Sequence, residues 1–160
     1  MNIFAVEKCP TKSARALPDK LIVKMPLETA QMLSTAHRLL SPNEYCETNN
    51  IYKTAFQNHP CTIWARETHE NYRWLLLHFI ALCEEYTKRY DKYHLCWTKL
   101  YDGLSEFPMN ITEGELTPFA QAMPDEYKSS NHVDAYRKYM INEKHYAKWE
   151  KGTSKPEWWK

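Results

Sequence analysis

The chain has 160 residues, of which 26% are charged, and its formal net charge at pH 7 is +1. This length is sufficient for one domain with its own hydrophobic core. Only three glycines are present, which argues against a dinucleotide fold or a phosphate-binding loop, because both need glycine where the backbone approaches phosphate. The near-neutral charge gives no support for nucleic-acid binding, since duplex-binding domains usually carry a basic excess.

Cysteine usage and hydropathy indicate the compartment. Five cysteines are irregularly spaced and include no CxxC pair, which argues against a disulfide framework or a closed zinc site. The start of the chain lacks the basic and apolar regions of a secretory signal. The longest apolar run, residues 74–83, is about half the length of a membrane span. We therefore expect a protein of the cytoplasm (the host cytoplasm if a phage encodes it) that has no membrane association, metal or other cofactor.

In the first third of the chain, apolar residues at helical spacing predict a helix over residues 21–40 that begins at residues 18–19. The apolar residues 1–10 are too few for a core of their own and should pack against the body. Pro26 predicts a kink or two abutting helices, because proline lacks a backbone donor and clashes with the preceding turn. Residues 41–58 show no periodicity and predict a long loop.

The main amphipathic helix should follow, with its polar side chains facing solvent. A shorter helix over 92–101 should end near Gly103, residues 104–130 read as irregular, and Asn131 should cap a final helix over 133–149. No segment alternates long enough for a strand. The predicted fold is mainly α, a single compact helical domain over 1–160 with long irregular loops. The apolar face of the main helix comprises Leu75, Leu76, Phe79, Leu82, Cys83 and Tyr86, and the polar face Arg73, Glu84, Glu85, Lys88 and Arg89.

The lead-in to the main helix, residues 59–74, carries more hydrogen-bonding and stacking groups than burial requires. Arg66 and Asn71 would form a clamp for a carboxylate or a phosphate, or equally a helix N-terminal network capped by Thr68. A histidine and a cysteine two residues apart are metal-ligand types, but such a lone pair is a weak signal. The hydrogen-bonding and stacking groups of the lead-in are His59, Cys61, Trp64, Arg66, Asn71, Tyr72 and Trp74.

Glu28 is the most distinctive carboxylate. It follows the proline break and has apolar neighbours, a setting that suits acid or base chemistry. Lys24 precedes it by one helical turn, so a simple salt bridge between positions i and i+4 would also explain both residues.

Three segments in this order resemble the phage pyrimidine-dimer DNA glycosylases, also called phage-type endonuclease V. They are LPDKLIVKMPLETAQML at residues 17–33, HPCTIWARETHENYRWLLLHFIALCEEYTKRY at 59–90 and NEKHYAKWEKGTSKPEWWK at 142–160. The resemblance implies a helical enzyme that flips DNA locally and cleaves the glycosidic bond through a Schiff base on its N-terminal amine, with a glutamate assisting.

Residue by residue, the resemblance assigns the glutamate to Glu28 and a basic residue near the C-terminal helix to Lys144. The amine would be that of Met1, followed by Asn2. The basic residues that flank the family's glutamate correspond to Leu27 and Gln31.

Three functions follow as hypotheses. The first is a DNA base-excision enzyme with the Met1 amine and Asn2 at its catalytic N terminus and Glu28 as acid or base. The second is a protein that binds or processes a nucleotide or modified base on the same fold, which the aromatic content of 14% favours. The third is a non-catalytic phage protein that binds a host partner through exposed tryptophans at its C terminus. The expected substrate-binding residues are Lys24, His59, Arg66, Asn71, Tyr72, Trp74 and Lys144.

Overall fold

Two 22-residue helices form the centre of the fold in the computed structural model, which describes residues 1–160. The prediction of a mainly α, single compact domain is confirmed, since the chain contains only helices and irregular segments. None of the helices combines the length and apolar composition that a membrane crossing needs. In chain order the helices are α1 (Pro10–Arg15), α2 (Asp19–Leu40), α3 (Asn43–Thr48), α4 (Pro60–Glu67), α5 (His69–Tyr90), α6 (Leu95–Ser105) and α7 (His132–Glu143), with a 3-10 turn at Asp125–Tyr127.

Helix α2 runs without interruption through Pro26, so the alternative of two abutting helices is wrong. Proline removes one backbone hydrogen bond from the ladder. The side chain of Pro26 is buried, and α2 packs against α4, α5 and α6. Tertiary burial of apolar surface along α2 offsets the local loss.

The predicted loop at residues 41–58 and the lead-in to α5 both contain helix. The segment 41–58, predicted as loop, contains α3, which buries Cys46. The lead-in to α5 is itself the helix α4, with Pro60 at its first position. Thr68 separates α4 from α5 and caps the latter, because its Oγ1 accepts a hydrogen bond from the amide of Asn71 at 3.1 Å. This bond realises the predicted capping network.

The ends of α6 and α7 differ from prediction. Helix α6 runs past Gly103, where a Cβ atom would lie 2.8 Å from the Cβ of Asn49. Glycine there permits close packing of α6 against the residue after α3 rather than ending the helix. Helix α7 is capped by Asn131 as predicted but ends at Glu143. The following residues fold back onto α2, where the carbonyl of Lys148 accepts a hydrogen bond from the amide of Asp19 at 2.9 Å.

The polar face predicted for α5 is not wholly exposed, because Glu85 and Arg89 are buried. The guanidinium of Arg89 contacts Glu85 at 2.8 Å and Asp19 at 3.1 Å. It also donates to the carbonyls of Arg15 at 2.9 Å and Leu17 at 2.7 Å. Arg89 therefore joins the end of α1, the start of α2 and the last turns of α5 through charge-assisted hydrogen bonds.

The first residues pack into the core, as predicted. Residues 2–6 are all buried. The chain turns at Phe4, whose φ of +40° places it in the left-handed region. Ser13 holds this turn, since its hydroxyl donates to the carbonyl of Phe4 at 3.0 Å and accepts from the amide of Val6 at 3.1 Å. The turn thereby places Met1 at the surface of α2.

Two histidines lie in the interior. Burial lowers the pKa of His37 and of His78 to about 4. His78 Nδ1 bonds the carbonyl of Pro10 at 3.0 Å, and its Nε2 has no partner. Both rings are therefore neutral in the folded protein at neutral pH.

The free energy of unfolding should fall as pH drops from 6.5 towards 4. In this range His37 and His78 bind protons in the unfolded chain but stay neutral in the folded protein, because they are buried there. Each buried ring contributes up to about 1.4 kcal/mol per pH unit in that window. Urea denaturation over a pH series measures the slope. His78→Phe should reduce the slope by one proton, because phenylalanine takes up no proton in the unfolded chain. Equal slopes for His78→Phe and the unmodified protein would contradict the assignment.

Replacing Arg89 by methionine should cost about 3–5 kcal/mol, because Asp19 and Glu85 would remain buried without their cation. The matched control is Lys128→Met, which removes a cation from an exposed pair with Asp125 and should change stability far less. Chemical denaturation of both variants measures the difference. Losses of similar size would show that the Arg89 network is no stronger than a surface pair.

Candidate functional site

The N-terminal amine and two side chains of α2 meet at the surface of the protein. The amine nitrogen of Met1 lies 3.3 Å from Glu28 Oε1, and Lys24 Nζ lies 3.2 Å from Glu28 Oε2. The Glu28 side chain is 12% exposed and that of Lys24 is 69% exposed. The predicted salt bridge between Lys24 and Glu28, at positions i and i+4, is confirmed. One carboxylate thus sits between two amines of different accessibility.

The contact on Oε2 is ionic rather than a well-directed hydrogen bond. Lys24 Nζ is close enough to Oε2 for a bond, yet this oxygen makes no hydrogen bond of acceptable angle. Hydrogen bonds weaken steeply when they are misaligned, so the attraction between these two groups is one of charge. Glu28 Oε2 is therefore a buried acceptor that has a cation beside it but no hydrogen-bond donor.

The Met1 side chain anchors the amine. It is 1% exposed, whereas the residue as a whole is partly exposed, so the accessible part of Met1 is its backbone. Asn2 fixes the next residue, because its Nδ2 donates to the carbonyl of Ala122 at 2.9 Å and its Oδ1 accepts from the amide of Phe4 at 2.9 Å. Asn2 itself is buried. It positions the terminus and does not present its own amide to solvent.

His59 stands at the edge of this cluster, as the residue that caps α4. Its Nδ1 accepts a hydrogen bond from the amide of Cys61 at 3.1 Å, so the neutral ring carries its proton on Nε2. Burial lowers the pKa of His59 first, and the positive charge of the Met1 amine lowers it further, while Glu28 opposes both effects. The ring is consequently a neutral hydrogen-bond donor at pH 7.

The surface beside Glu28 is apolar rather than basic. Val23 and Leu27 are exposed on successive turns of α2, and Gln31 continues the stripe after Leu27. Lys24 supplies the cation beside them. The surface near the carboxylate therefore offers one strong phosphate ligand and several groups suited to apolar contact.

The predicted Arg66–Asn71 clamp is not formed. Asn71 is buried, its Nδ2 donates to the carbonyl of Trp64 at 2.9 Å, and its Oδ1 accepts from the amide of Thr117 at 2.9 Å. Arg66 donates to the carbonyls of Gln57 at 2.9 Å and Thr62 at 3.2 Å. Both residues hold loops onto α4 and α5, which corresponds to the alternative of a structural network.

Three further predicted binding residues have internal partners. Tyr72 is buried and donates to the carbonyl of Leu104 at 2.7 Å. Trp74 is buried and donates to the carbonyl of Lys8 at 2.8 Å. Lys144 lies 3.2 Å from the hydroxyl of Tyr139, with its ammonium over that ring. The ammonium of Lys144 also lies 5.7 Å from the ring centre of Phe4. Binding of substrate by these three residues stays a prediction.

Cys61 does not have the character of a nucleophile. It is buried, and desolvation raises the pKa of its thiol to about 11, which keeps it protonated at neutral pH. No group of three or more acidic, histidine or cysteine side chains has the arrangement of a metal site.

The C-terminal tryptophans are not freely exposed, which corrects the basis of the interaction hypothesis. Trp158 and Trp159 are partly buried against the core, and the ring of Trp159 packs on that of Trp149 at 5.0 Å. The exposed aromatic near the site is instead Phe56, three residues before His59. Sequence analysis missed it, although a lone phenylalanine in a polar segment without periodicity was a usable signal.

Residues 1–98 match a family model described as pyrimidine dimer DNA glycosylase. No match was found among curated proteins or among solved structures. The matched range contains Met1, Lys24, Glu28 and His59, which are the groups that the fold brings together, and it extends over more than half of the chain. The chain therefore belongs to the pyrimidine dimer DNA glycosylase family.

Proposed function

We propose that the protein is a DNA glycosylase and lyase that removes a pyrimidine dimer or another modified base, with the Met1 amine as nucleophile and Glu28 as acid and base. The observation that carries this proposal is the 3.3 Å separation between the amine and the carboxylate. A carboxylate at this distance can take a proton from the amine and return it elsewhere.

The reaction begins when the neutral amine attacks C1′ of an extruded nucleotide. A bond forms between nitrogen and C1′, the glycosidic bond breaks, and the leaving base takes the electron pair and then a proton from water. Glu28 accepts one proton from the attached nitrogen and gives it to O4′ as the sugar ring opens. The product is a protonated Schiff base between the amine and C1′, which a hydride donor can reduce to a stable adduct.

The anchored terminus suits this chemistry. Burial of the Met1 side chain and the hydrogen bonds of Asn2 restrict the amine before substrate arrives, and such positioning lowers the entropic part of the barrier. His59 donates from Nε2 to the sugar or the leaving base. Lys24 contacts a phosphate with its exposed ammonium. Removing Lys24 should therefore weaken DNA binding and reduce its salt dependence.

Replacement of Glu28 by glutamine should slow adduct formation by roughly 10²- to 10⁴-fold, because the amide cannot relay a proton. Borohydride trapping on duplex DNA that contains a thymine dimer measures the rate. Glu44→Gln, at an exposed position of α3, is the matched control and should trap at the normal rate. A Glu28→Gln variant that binds and traps normally would remove the carboxylate from the mechanism.

A second amine, that of Lys24, lies on the other carboxylate oxygen, so the nucleophile must be tested directly. One extra glycine before Met1 should abolish trapping, because it carries the amine away from Glu28. Lys24→Ala should weaken binding yet still form the adduct. Mass mapping of the trapped peptide identifies the modified residue, and an adduct on Lys24 would assign the chemistry to that side chain instead.

A further inference from the structure

We propose that Phe56 is a wedge that inserts between DNA bases and holds open the stack beside the reactive centre. The inference deepens the proposed function, on which it depends for the identity of the ligand as duplex DNA. It assigns a positioning role to a residue outside the cluster of Met1, Lys24, Glu28 and His59.

Phe56 is unusual both in exposure and in backbone conformation. Its side chain is 68% exposed, and its φ of +47° lies in the left-handed region. A bulky residue adopts this conformation at a cost that surrounding structure must offset. Phe4 has a similar φ, but its ring is buried against Tyr136 and Tyr139. The ring of Phe56 forms no aromatic pair, so internal packing does not explain its orientation.

The backbone around Phe56 is held on both sides. The amide of Ala55 donates to Thr35 Oγ1 at 3.0 Å, and Thr35 is fully buried. The carbonyl of Phe56 accepts from the amide of His59 at 2.9 Å, and that of Gln57 accepts from Arg66 at 2.9 Å. The ring therefore projects from a fixed turn rather than from a loose loop.

The same contacts place this turn on the face of α2 that carries Glu28, because residues seven positions apart lie on one side of a helix. Thr35 and Glu28 lie seven residues apart on α2, which is about 10 Å along a helix axis. Ala55 is bonded to Thr35, and the ring of His59 experiences the charges of Glu28 and of the Met1 amine. Ala55 thus lies about two helical turns from Glu28 along α2, and Phe56 follows it in the turn that ends at His59.

A base-excision enzyme on duplex DNA has to hold a nucleotide out of the base stack. Extruding a nucleotide breaks stacking and pairing, and apolar side chains inserted between base steps are a known way of holding DNA open. A net charge of +1 gives the whole protein little long-range attraction to a polyanion. The apolar Leu27, on the neighbouring face of α2, extends the surface on which an opened stack would lie.

The test uses duplex DNA that carries a thymine dimer with 2-aminopurine beside it. Its fluorescence rises when the base is unstacked. Glu28→Gln protein should raise the fluorescence without turnover, and the added substitution Phe56→Gly should abolish the rise. In the active protein, Phe56→Gly should slow trapping on this duplex by roughly 10- to 100-fold, in proportion to the stacking that one aromatic ring provides. On a single-stranded oligonucleotide with the same lesion the rate should change less than about threefold, since no paired stack has to open.

Two controls separate a wedge from a folding defect. Glycine accepts a positive φ without strain, so the melting temperature of Phe56→Gly should not fall. Met109→Ala removes another apolar side chain of similar exposure, 71%. The backbone amide of Met109 donates to the hydroxyl of Ser41, just after the C-terminal end of α2. This variant should unstack and trap DNA as the unmodified protein does.

The outcomes distinguish the wedge from the proposed function. Normal unstacking and trapping by Phe56→Gly would overturn the wedge and leave the glycosylase proposal standing. If the unmodified protein forms no adduct but unstacks the duplex in a manner that depends on Phe56, the wedge is supported and the lyase chemistry fails. If Glu28→Gln protein gives no fluorescence rise on the duplex, the wedge is overturned whatever the trapping result.

Discussion

The buried guanidinium of Arg89 is the interaction on which the rest of the structure depends. A charge in the interior is tolerated only when it is paired and hydrogen-bonded, and Arg89 meets this condition by collecting partners from α1, from the start of α2 and from α5. The C-terminal segment joins the same network, because Asp19 Oδ2 accepts from the amide of Glu150 and Thr153 bonds Glu85. The network fixes where α2 begins relative to the N-terminal segment. It therefore also fixes the position of Glu28 relative to that segment.

The N-terminal segment completes the candidate site through a different mechanism, which is apolar burial. Residues 2–6 enter the core and turn at Phe4, so the chain end has little freedom to move away from α2. Met1 then presents its backbone amine while its side chain is buried. The contact between the Met1 amine and Glu28 is thus assembled by the hydrophobic core and a buried ion network rather than by local sequence. This arrangement gives preorganisation at the surface of a small helical domain.

The distribution of charge suggests how such a domain handles a polyanion. Lys24 is an exposed cation beside Glu28, and Val23 and Leu27 are exposed and apolar on the same helix. Phe56 is exposed on the turn that Thr35 holds. An interface of this kind gains less from counterion release than a basic cleft does, and more from stacking and apolar contact with opened bases. A small net charge is therefore compatible with a DNA substrate, although the charge by itself gave no support for one.

The sequence by itself determined the helical class, the helices α2 and α5, the cap at Asn131 and the pairing of Lys24 with Glu28, because each depends on neighbours within one or two helical turns. It also carried the family resemblance, which named Glu28 and the N-terminal amine. Tertiary structure alone decided that Glu85 and Arg89 are buried and that Asn71 serves the scaffold, because their partners lie up to about 70 positions away along the chain. Phe56 belongs with these, since its position beside α2 depends on the bond between Ala55 and Thr35 and on the turn to His59. Local patterns record which face a residue occupies, but only the folded chain supplies the distant partner that gives a polar or aromatic side chain its role.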